Sequence, residues 1–168
     1  MCNRYHPTRA EIIEAQWKFG LPGTGDRTWR PGIGQWSKGP FIRTKDSEPE
    51  LVVGTWALIG DDYSQLTNRA RSTNNARWET VAKLKTHKGP WARGQRCLIP
   101  AERFDYPNGE SGKNEWWSFR RADGEPWHLA GIWNVCHSSP GSWTHGLDLV
   151  LGRYGRTSTT PCRSSPVE

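Results

Sequence analysis

The sequence predicts an α+β domain in which a mainly β, barrel-like sheet is flanked by a few helices. Several short apolar segments have the composition or alternation of strands, whereas only one or two have helical periodicity. This mixture favours a sheet with helices packed beside it. The length of 168 residues fits one domain. Hydrophobic residues make up only 34% of the chain, but eleven tryptophans allow a core because each buries a large apolar area.

The first helix is predicted over residues 8–19, TRAEIIEAQWKF. Thr8 and Glu11 have the spacing of a capping box, in which two side chains bond the free backbone N–H groups at the start of a helix. Gly20 and Pro22 follow as residues that end helices.

The central part of the chain alternates between strand-like segments and polar loops. The loop KDSEPE separates the first two strand-like segments, as expected of a hairpin. A second helix is predicted to end at the Gly89–Pro90 pair. This second helix is TVAKLKTHKGPWARG (80–94), and residues 105–114 are predicted as a loop. The predicted strands are PFIRT (40–44), ELVVGTWALIG (50–60), RCLIPA (96–101), EWWSFRR (115–121) and PWHLAGIWNV (126–135).

The last residues differ in composition from the rest of the chain. Residues 153–168, RYGRTSTTPCRSSPVE, have no periodicity and almost no apolar side chains, which is typical of disorder. We therefore expect one domain over residues 1–144 and a disordered or frameshifted tail over residues 145–168.

The charge of the chain favours a polyanionic partner. There are 23 Lys and Arg against 17 acidic residues, which gives a net charge of +6 and a pI of about 9.4. Such a surplus points first to nucleic acid. No apolar run is long enough to span a bilayer, and the N-terminus MCNRYHPTR lacks the apolar region of a signal peptide. We expect a cytoplasmic, nucleoid-associated protein with no membrane partner.

The four cysteines form no C-x-x-C pair, which argues against a zinc ribbon or a redox motif. In a reducing compartment they are expected as free thiols. We expect no metal and no cofactor.

Cys2 directly follows the initiator methionine in the opening residues MCNRY. Removal of Met1 gives Cys2 a free α-amine and a thiol on adjacent carbons. An α-amine has an ordinary pKa of about 7.7–8.0, so part of it is neutral at physiological pH and can condense with an aldehyde to an imine. The thiol can then add to the imine carbon and close a five-membered thiazolidine ring. The alternative is an incidental cysteine on a frayed terminus.

Five blocks carry a resemblance to a known family. They are MCNRY at the start, GTWALIG (54–60), NNARWET (74–80), RCLIPAERF (96–104) and GEPWHLAGIW (124–133). With them the chain resembles the SOS response-associated peptidase (SRAP) family of abasic-site processing proteins, over roughly residues 1–135. The resemblance implies that Cys2 captures the ring-opened aldehyde of an abasic deoxyribose in single-stranded DNA. It also implies a barrel-like domain, and we expect a monomer.

The resemblance also assigns roles to four other residues. Asn75 matches an active-site asparagine whose amide orients the opened sugar; the alternative is an asparagine that caps a turn. Arg4 and Arg77 match positions that meet phosphates, with solvated surface charges as the alternative. Trp56 either stacks on a base beside a groove or lies in the core of a strand.

Five further residues are predicted to be structural rather than functional. Four tryptophans in the later strands are expected in the core, and one cysteine is expected to be buried and unreactive. These residues are Trp116, Trp117, Trp127, Trp133 and Cys97.

Two departures from the family pattern bear on the chemistry. The family carries a glutamate, an acid/base group, where this chain has Tyr106. Asp105 is adjacent, and Glu102 and Glu110 are nearby, but adjacent residues of a strand point to opposite faces, so Asp105 is not automatically a substitute. The family's histidine near the end, with the closing elements around it, has no counterpart here. We therefore expect a domain incomplete at its C-terminal end, in which capture of abasic sites is retained rather than release or peptidase activity.

Three other functions remain open at this point. A basic module that binds single-stranded nucleic acid without chemistry needs only the charge and the aromatic residues. A degraded, inactive copy of the family fits the two departures. A cysteine hydrolase needs a histidine base beside Cys2, and only His6 is near it in sequence.

Overall fold

The computed structural model describes residues 4–17, 29–59, 74–108, 115–139 and 142–151. In this part of the chain nine strands form one sheet with two helices beside it, which confirms the predicted α+β, mainly β class. None of the described helices is both long and apolar enough to cross a membrane. The elements are β1 (Arg4–Pro7), α1 (Ala10–Trp17), β2 (Ile33–Gly34), β3 (Lys38–Lys45), β4 (Glu48–Trp56), β5 (Asn75–Arg77), α2 (Lys85–Ala92), β6 (Arg96–Asn108), β7 (Glu115–Phe119), β8 (Trp127–Ser139) and β9 (Ser142–Leu151).

Five of the strands form a nearly closed, barrel-like ring. β6 pairs with β3, β3 with β4, β4 with β9, β9 with β8, and β8 returns to β6. Only the β4–β9 pairing is parallel within this ring. Ring closure pairs strand edges that an open sheet would leave exposed.

The long strand β6 changes partners along its length. Its first half lies between β3 and β8, and its second half lies between β1 and β7. The sequence predicted a strand only over 96–101 and a loop from residue 105. That prediction is wrong for residues 105–108, because β7 supplies backbone partners to this polar stretch and so keeps it extended.

The last described strand passes the expected domain boundary. β9 runs from Ser142 to Leu151, so position 144 lies within a strand and residues 145–151 belong to the sheet. Residues 153–168, whose composition is typical of disorder, lie outside the described residues.

Both helices differ in detail from the prediction. Thr8 does not cap α1, because its hydroxyl is buried without a hydrogen-bond partner among the described residues and its N–H donates to the carbonyl of Pro100. The second helix is not ended by Gly89 and Pro90. Pro90 lies inside α2 on its buried side, and Gly94 follows the helix with a left-handed φ of 70°, a conformation common just after helix ends.

Three apolar clusters fill the domain. The largest lies inside the ring and joins β1, β2, β3, β4 and β6; the second packs α1 against β3 and β4; the third packs β5 and the α2 region against β8. Their buried members are Tyr5, Ile33, Phe41, Trp56, Cys97, Ile99 and Ala101, then Ile13, Ile42 and Leu51, then Leu58, Ala76, Val81 and Ile132. The prediction that Cys97 is buried is confirmed.

Two of the four tryptophans predicted to be in the core are at the surface. Trp127 and Trp133 pack against the largest cluster, as predicted. Trp116 is 51% exposed and Trp117 is 39% exposed. Both lie on β7, which lies outside the ring and pairs with β6 alone among the described strands, so strand alternation there does not bury either face.

We expect Gly39→Ala to destabilise the domain by about 1–3 kcal/mol, the usual cost of overpacking a core. Gly39 is buried on β3, and a Cβ there would collide with the hydroxyl of Tyr5 and lie 3.3 Å from Cγ1 of Ile33. Urea unfolding measures the change. Gly34→Ala is the matched control, since its Cβ meets nothing within 4 Å. Equal losses in both variants would contradict the close approach seen at Gly39.

The buried His87 makes stability depend on pH. Desolvation by burial lowers its pKa from the ordinary 6.5, so the folded chain resists protonation at this ring. As the pH falls below 6.5 the unfolded chain takes up that proton more readily, and the free energy of unfolding decreases. Urea midpoints between pH 7.5 and 5.5 should fall less steeply for His87→Gln than for the parent chain. Parallel slopes would exclude this contribution from His87.

Candidate nucleic-acid site

The residues that the sequence assigned to the site lie on β1, β4 and β5. Cys2 lies outside the described residues, of which Arg4 is the first. The structure therefore gives the surroundings of Arg4, Trp56, Asn75 and Arg77.

Asn75 and Arg77 lie at the two ends of β5 and point to the same face. Ala76 between them is 1% exposed and packs in the third apolar cluster. Because successive strand residues point to opposite faces, Asn75 and Arg77 both point away from that cluster. Asn75 is half-buried and Arg77 is exposed. One short strand thus carries an amide and a guanidinium suited to phosphate on residues whose Cα atoms are about 7 Å apart, and Oδ1 of Asn75 is itself buried.

Trp56 is a core residue, and its interpretation as a base-stacking residue is corrected here. Its side chain is 0% exposed, so no base can reach the ring while the domain is folded. The indole and the ring of Tyr5 meet edge to face, with centroids 5.1 Å apart. Its Nε1 donates to the carbonyl of Asn74 at 2.8 Å. Trp56 therefore joins β1 to the residue that precedes Asn75.

Arg4 lies at the surface beside an exposed aromatic ring. Its backbone pairs with Asp105 of β6, and its guanidinium carbon lies 5.6 Å from the centroid of the Trp116 ring. That distance is within the range of a cation–π contact. The exposed guanidinium can therefore reach a phosphate with an aromatic face next to it.

β6 presents the two candidates for the missing glutamate on opposite faces. Tyr106 is 41% exposed and pairs with Trp117. Asp105 is engaged elsewhere: its Oδ2 lies 2.9 Å from Nε2 of His6, whose Nδ1 lies 2.8 Å from the carbonyl oxygen of Pro31. The aspartate therefore connects β6 to β1 through His6, on the face of β6 opposite to Tyr106.

One aromatic cluster next to Arg77 was missed by the sequence reasoning. Trp78 is 59% exposed and meets Trp91 edge to face, with centroids 5.4 Å apart. The guanidinium carbon of Arg96 lies 4.4 Å from the centroid of Trp91. The available signal was a tryptophan directly between Arg77 and Glu79 at the end of a polar block, a setting that favours exposure. The contact with Trp91 has no local signal, because it joins the turn after β5 to the helix α2.

The described residues include no group of three or more His, Cys, Asp or Glu side chains arranged to hold a metal ion. The described part of the site consists of cations, an amide and aromatic rings. Such a set can bind a phosphodiester backbone and unpaired bases.

The profile of the SOS response associated peptidase (SRAP) family matches residues 1–151, which include every described strand. No curated protein matches the chain.

Solved structures share the fold. A protein from Bordetella bronchiseptica is 29% identical, with a TM-score of 0.75 over 89% of this chain and 71% of its own. A protein from Bacteroides thetaiotaomicron is 17% identical, with a TM-score of 0.74 over 90% of this chain and 68% of its own. A phage-related protein from Bordetella bronchiseptica is 19% identical, with a TM-score of 0.61 over 90% of this chain and 69% of its own.

We expect Trp56→Phe to lower the free energy of unfolding by about 1–3 kcal/mol beyond the loss of packing, because it leaves the carbonyl of Asn74 without its buried donor. Hydrogen exchange at residues 75–77 should also rise. Trp127→Phe is the matched control: its Nε1 has no hydrogen-bond partner in the described part of the chain, so only packing is lost. Equal destabilisation in both variants would show that the bond to Asn74 contributes nothing.

Proposed function

The chain belongs to the SOS response associated peptidase family, and from this premise we propose that it binds single-stranded DNA and forms a covalent thiazolidine cross-link to abasic sites through Cys2. Membership supports a role associated with DNA damage. The proposal adds the reaction, the reactive residue and the form of DNA. Removal of Met1, by the chain itself or by another protease, precedes the reaction because it frees the amine.

The proposed reaction has two bond-forming steps. The α-amine of Cys2 attacks the C1′ aldehyde of the opened deoxyribose, and loss of water gives an imine. The thiol sulfur then adds to the imine carbon, and the thiol proton passes to the nitrogen. The product retains the sugar carbon in a five-membered ring of one nitrogen, one sulfur and three carbons. Asn75 orients the opened sugar, while Arg4 and Arg77 bind the flanking phosphates.

The observation that carries the proposal is the anchoring of β1. Tyr5, three positions after Cys2, is 0% exposed and contacts Trp56, which in turn bonds to the residue before Asn75. Three extended residues reach about 10 Å. The fixed part of β1 thus supports a model in which the reactive terminus stays near the face that carries Asn75 and Arg77.

A binder that forms no covalent bond is the second candidate function. The tyrosine at the position of the family's glutamate favours it, because an ordinary tyrosine pKa of about 10 makes a poor base at neutral pH. This candidate needs the exposed cations and rings but not Cys2.

We expect the purified protein, mixed with single-stranded DNA that contains an abasic site, to give a band that survives a denaturing gel. Its intact mass should equal that of the chain without Met1 plus the DNA, less one water. Cys2→Ala should abolish the stable band. Cys2→Ser retains the amine, so it should give only an imine, trapped by borohydride and otherwise lost.

Two results would reject covalent capture through Cys2. One is a stable band that persists in Cys2→Ala. The other is a chain that has lost Met1, binds the DNA and still yields no adduct; intact binding in Cys2→Ala without any covalent species would then establish the second candidate.

A further inference from the structure

The stretch from Arg77 to Arg96 concentrates the positive charge of the chain. It holds six lysines and arginines against one acid, Glu79, a surplus of five in a chain whose net charge is +6. All six basic residues are exposed: Arg77, Lys83, Lys85, Lys88, Arg93 and Arg96. We call these residues, together with Trp78 and Trp91, the basic-aromatic surface. A concentrated excess of exposed cations favours a polyanion.

Trp78 gives this surface an exposed ring in a fixed orientation. At 59% exposure it has the largest exposed fraction among the exposed large apolar side chains of the described residues. The edge-to-face contact with Trp91, at an interplanar angle of 86°, restrains the ring without covering it. Arg96 stacks on Trp91 in turn, so a series of ring, ring and guanidinium supports the exposed indole.

The helix α2 places lysines on the side that carries Trp91. Lys88 precedes Trp91 by three positions, and Lys85 precedes Lys88 by three, so the three side chains are neighbours along one helix face. His87 and Pro90 are the buried residues of α2, and Trp91 lies between this buried side and the lysines, where it packs against the third apolar cluster. The basic-aromatic surface therefore continues from the end of β5 along α2.

We propose that the basic-aromatic surface binds single-stranded DNA beside the lesion, with Trp78 stacked on a base and Lys85 and Lys88 contacting phosphates. This proposal rests on the proposed function for the identity of its partner. An acidic protein would use the cations but not the exposed indole, and duplex DNA hides its base faces within the stack. A single strand uses both features, because every base has a face that can stack on an aromatic ring.

The test measures binding of a fluorescently labelled, undamaged thymidine oligomer by anisotropy, in full-length chain that carries Cys2→Ala. Trp78→Ala should weaken binding about 5- to 150-fold, the usual effect of losing one stacked base, and leave the salt dependence unchanged. Trp78→Phe should retain most of the affinity. Lys85→Gln combined with Lys88→Gln should weaken binding and reduce the slope of log affinity against log salt by about 1.4, or about 0.7 per phosphate.

Lys45→Gln is the matched charge control, because Lys45 is exposed at the end of β3, outside the basic-aromatic surface. It should change neither affinity nor slope. Thermal unfolding of each variant reports whether the domain is intact, and the double lysine variant tests the surface independently of Trp78.

Parent-like binding by both Trp78→Ala and the double lysine variant would overturn the proposal. Equal affinity of the parent for a blunt duplex, with no effect of Trp78→Ala, would overturn it as well. Because this experiment uses undamaged DNA and no reactive cysteine, its failure is distinct from failure of the cross-link. Capture through Cys2 with no effect of the surface variants would reject only the basic-aromatic surface.

Discussion

The buried indole of Trp56 is the contact on which the candidate site depends. The ring packs on Tyr5 of β1, and Nε1 donates to the carbonyl of Asn74. The backbone N–H of Trp56 donates to the carbonyl of Ser37. Three segments that are distant in sequence therefore converge on Trp56, whose side chain has no exposed surface. A tryptophan combines a large apolar area with one polar N–H, so it can fill a core and still satisfy a buried carbonyl. Phenylalanine at this position would supply the packing but not the connection to β5.

Ring closure explains why β9, the last described strand, matters to the site. β9 is the strand beside both β4 and β5, so the backbone of Asn75 and Arg77 is held by residues 149–151. The chain must therefore bring β9 beside both β4 and β5 to form the face with Asn75. This long-range pairing costs loop-closure entropy, which the buried third cluster beneath β5 helps to offset.

The sequence pattern predicted the elements whose burial follows from the alternation or spacing of apolar residues. It failed where a segment far away in the sequence determines whether a residue is extended or buried. The β3–β4 hairpin, the strand RCLIPA and the buried Cys97 follow from short apolar segments and a polar turn. The extension of β6 to Asn108 depends on β7, and the exposure of Trp116 and Trp117 depends on β7 lying outside the ring. The burial of Trp56 was one of two alternatives that the sequence could not separate, because a strand tryptophan looks the same on either side of a barrel wall. The contact between His6 and Asp105 joins residues 99 positions apart, and no local spacing signals it.

The proposed capture and the proton transfer that would accelerate it depend on different side chains. Amine and thiol belong to one residue, so formation of the ring requires the position of β1 and of the DNA but no second nucleophile. The resemblance implies an acid/base glutamate at the position of Tyr106, and the carboxylate adjacent to it in sequence, Asp105, contacts His6 on the other face of β6. The proposed capture therefore relies on β1 and the exposed cations, whereas β6 presents the exposed phenol of Tyr106 where the resemblance implies a glutamate. In the proposed function, a longer residence time of the strand on the basic-aromatic surface gives the amine more opportunity to react, so this binding would offset slow ring closure.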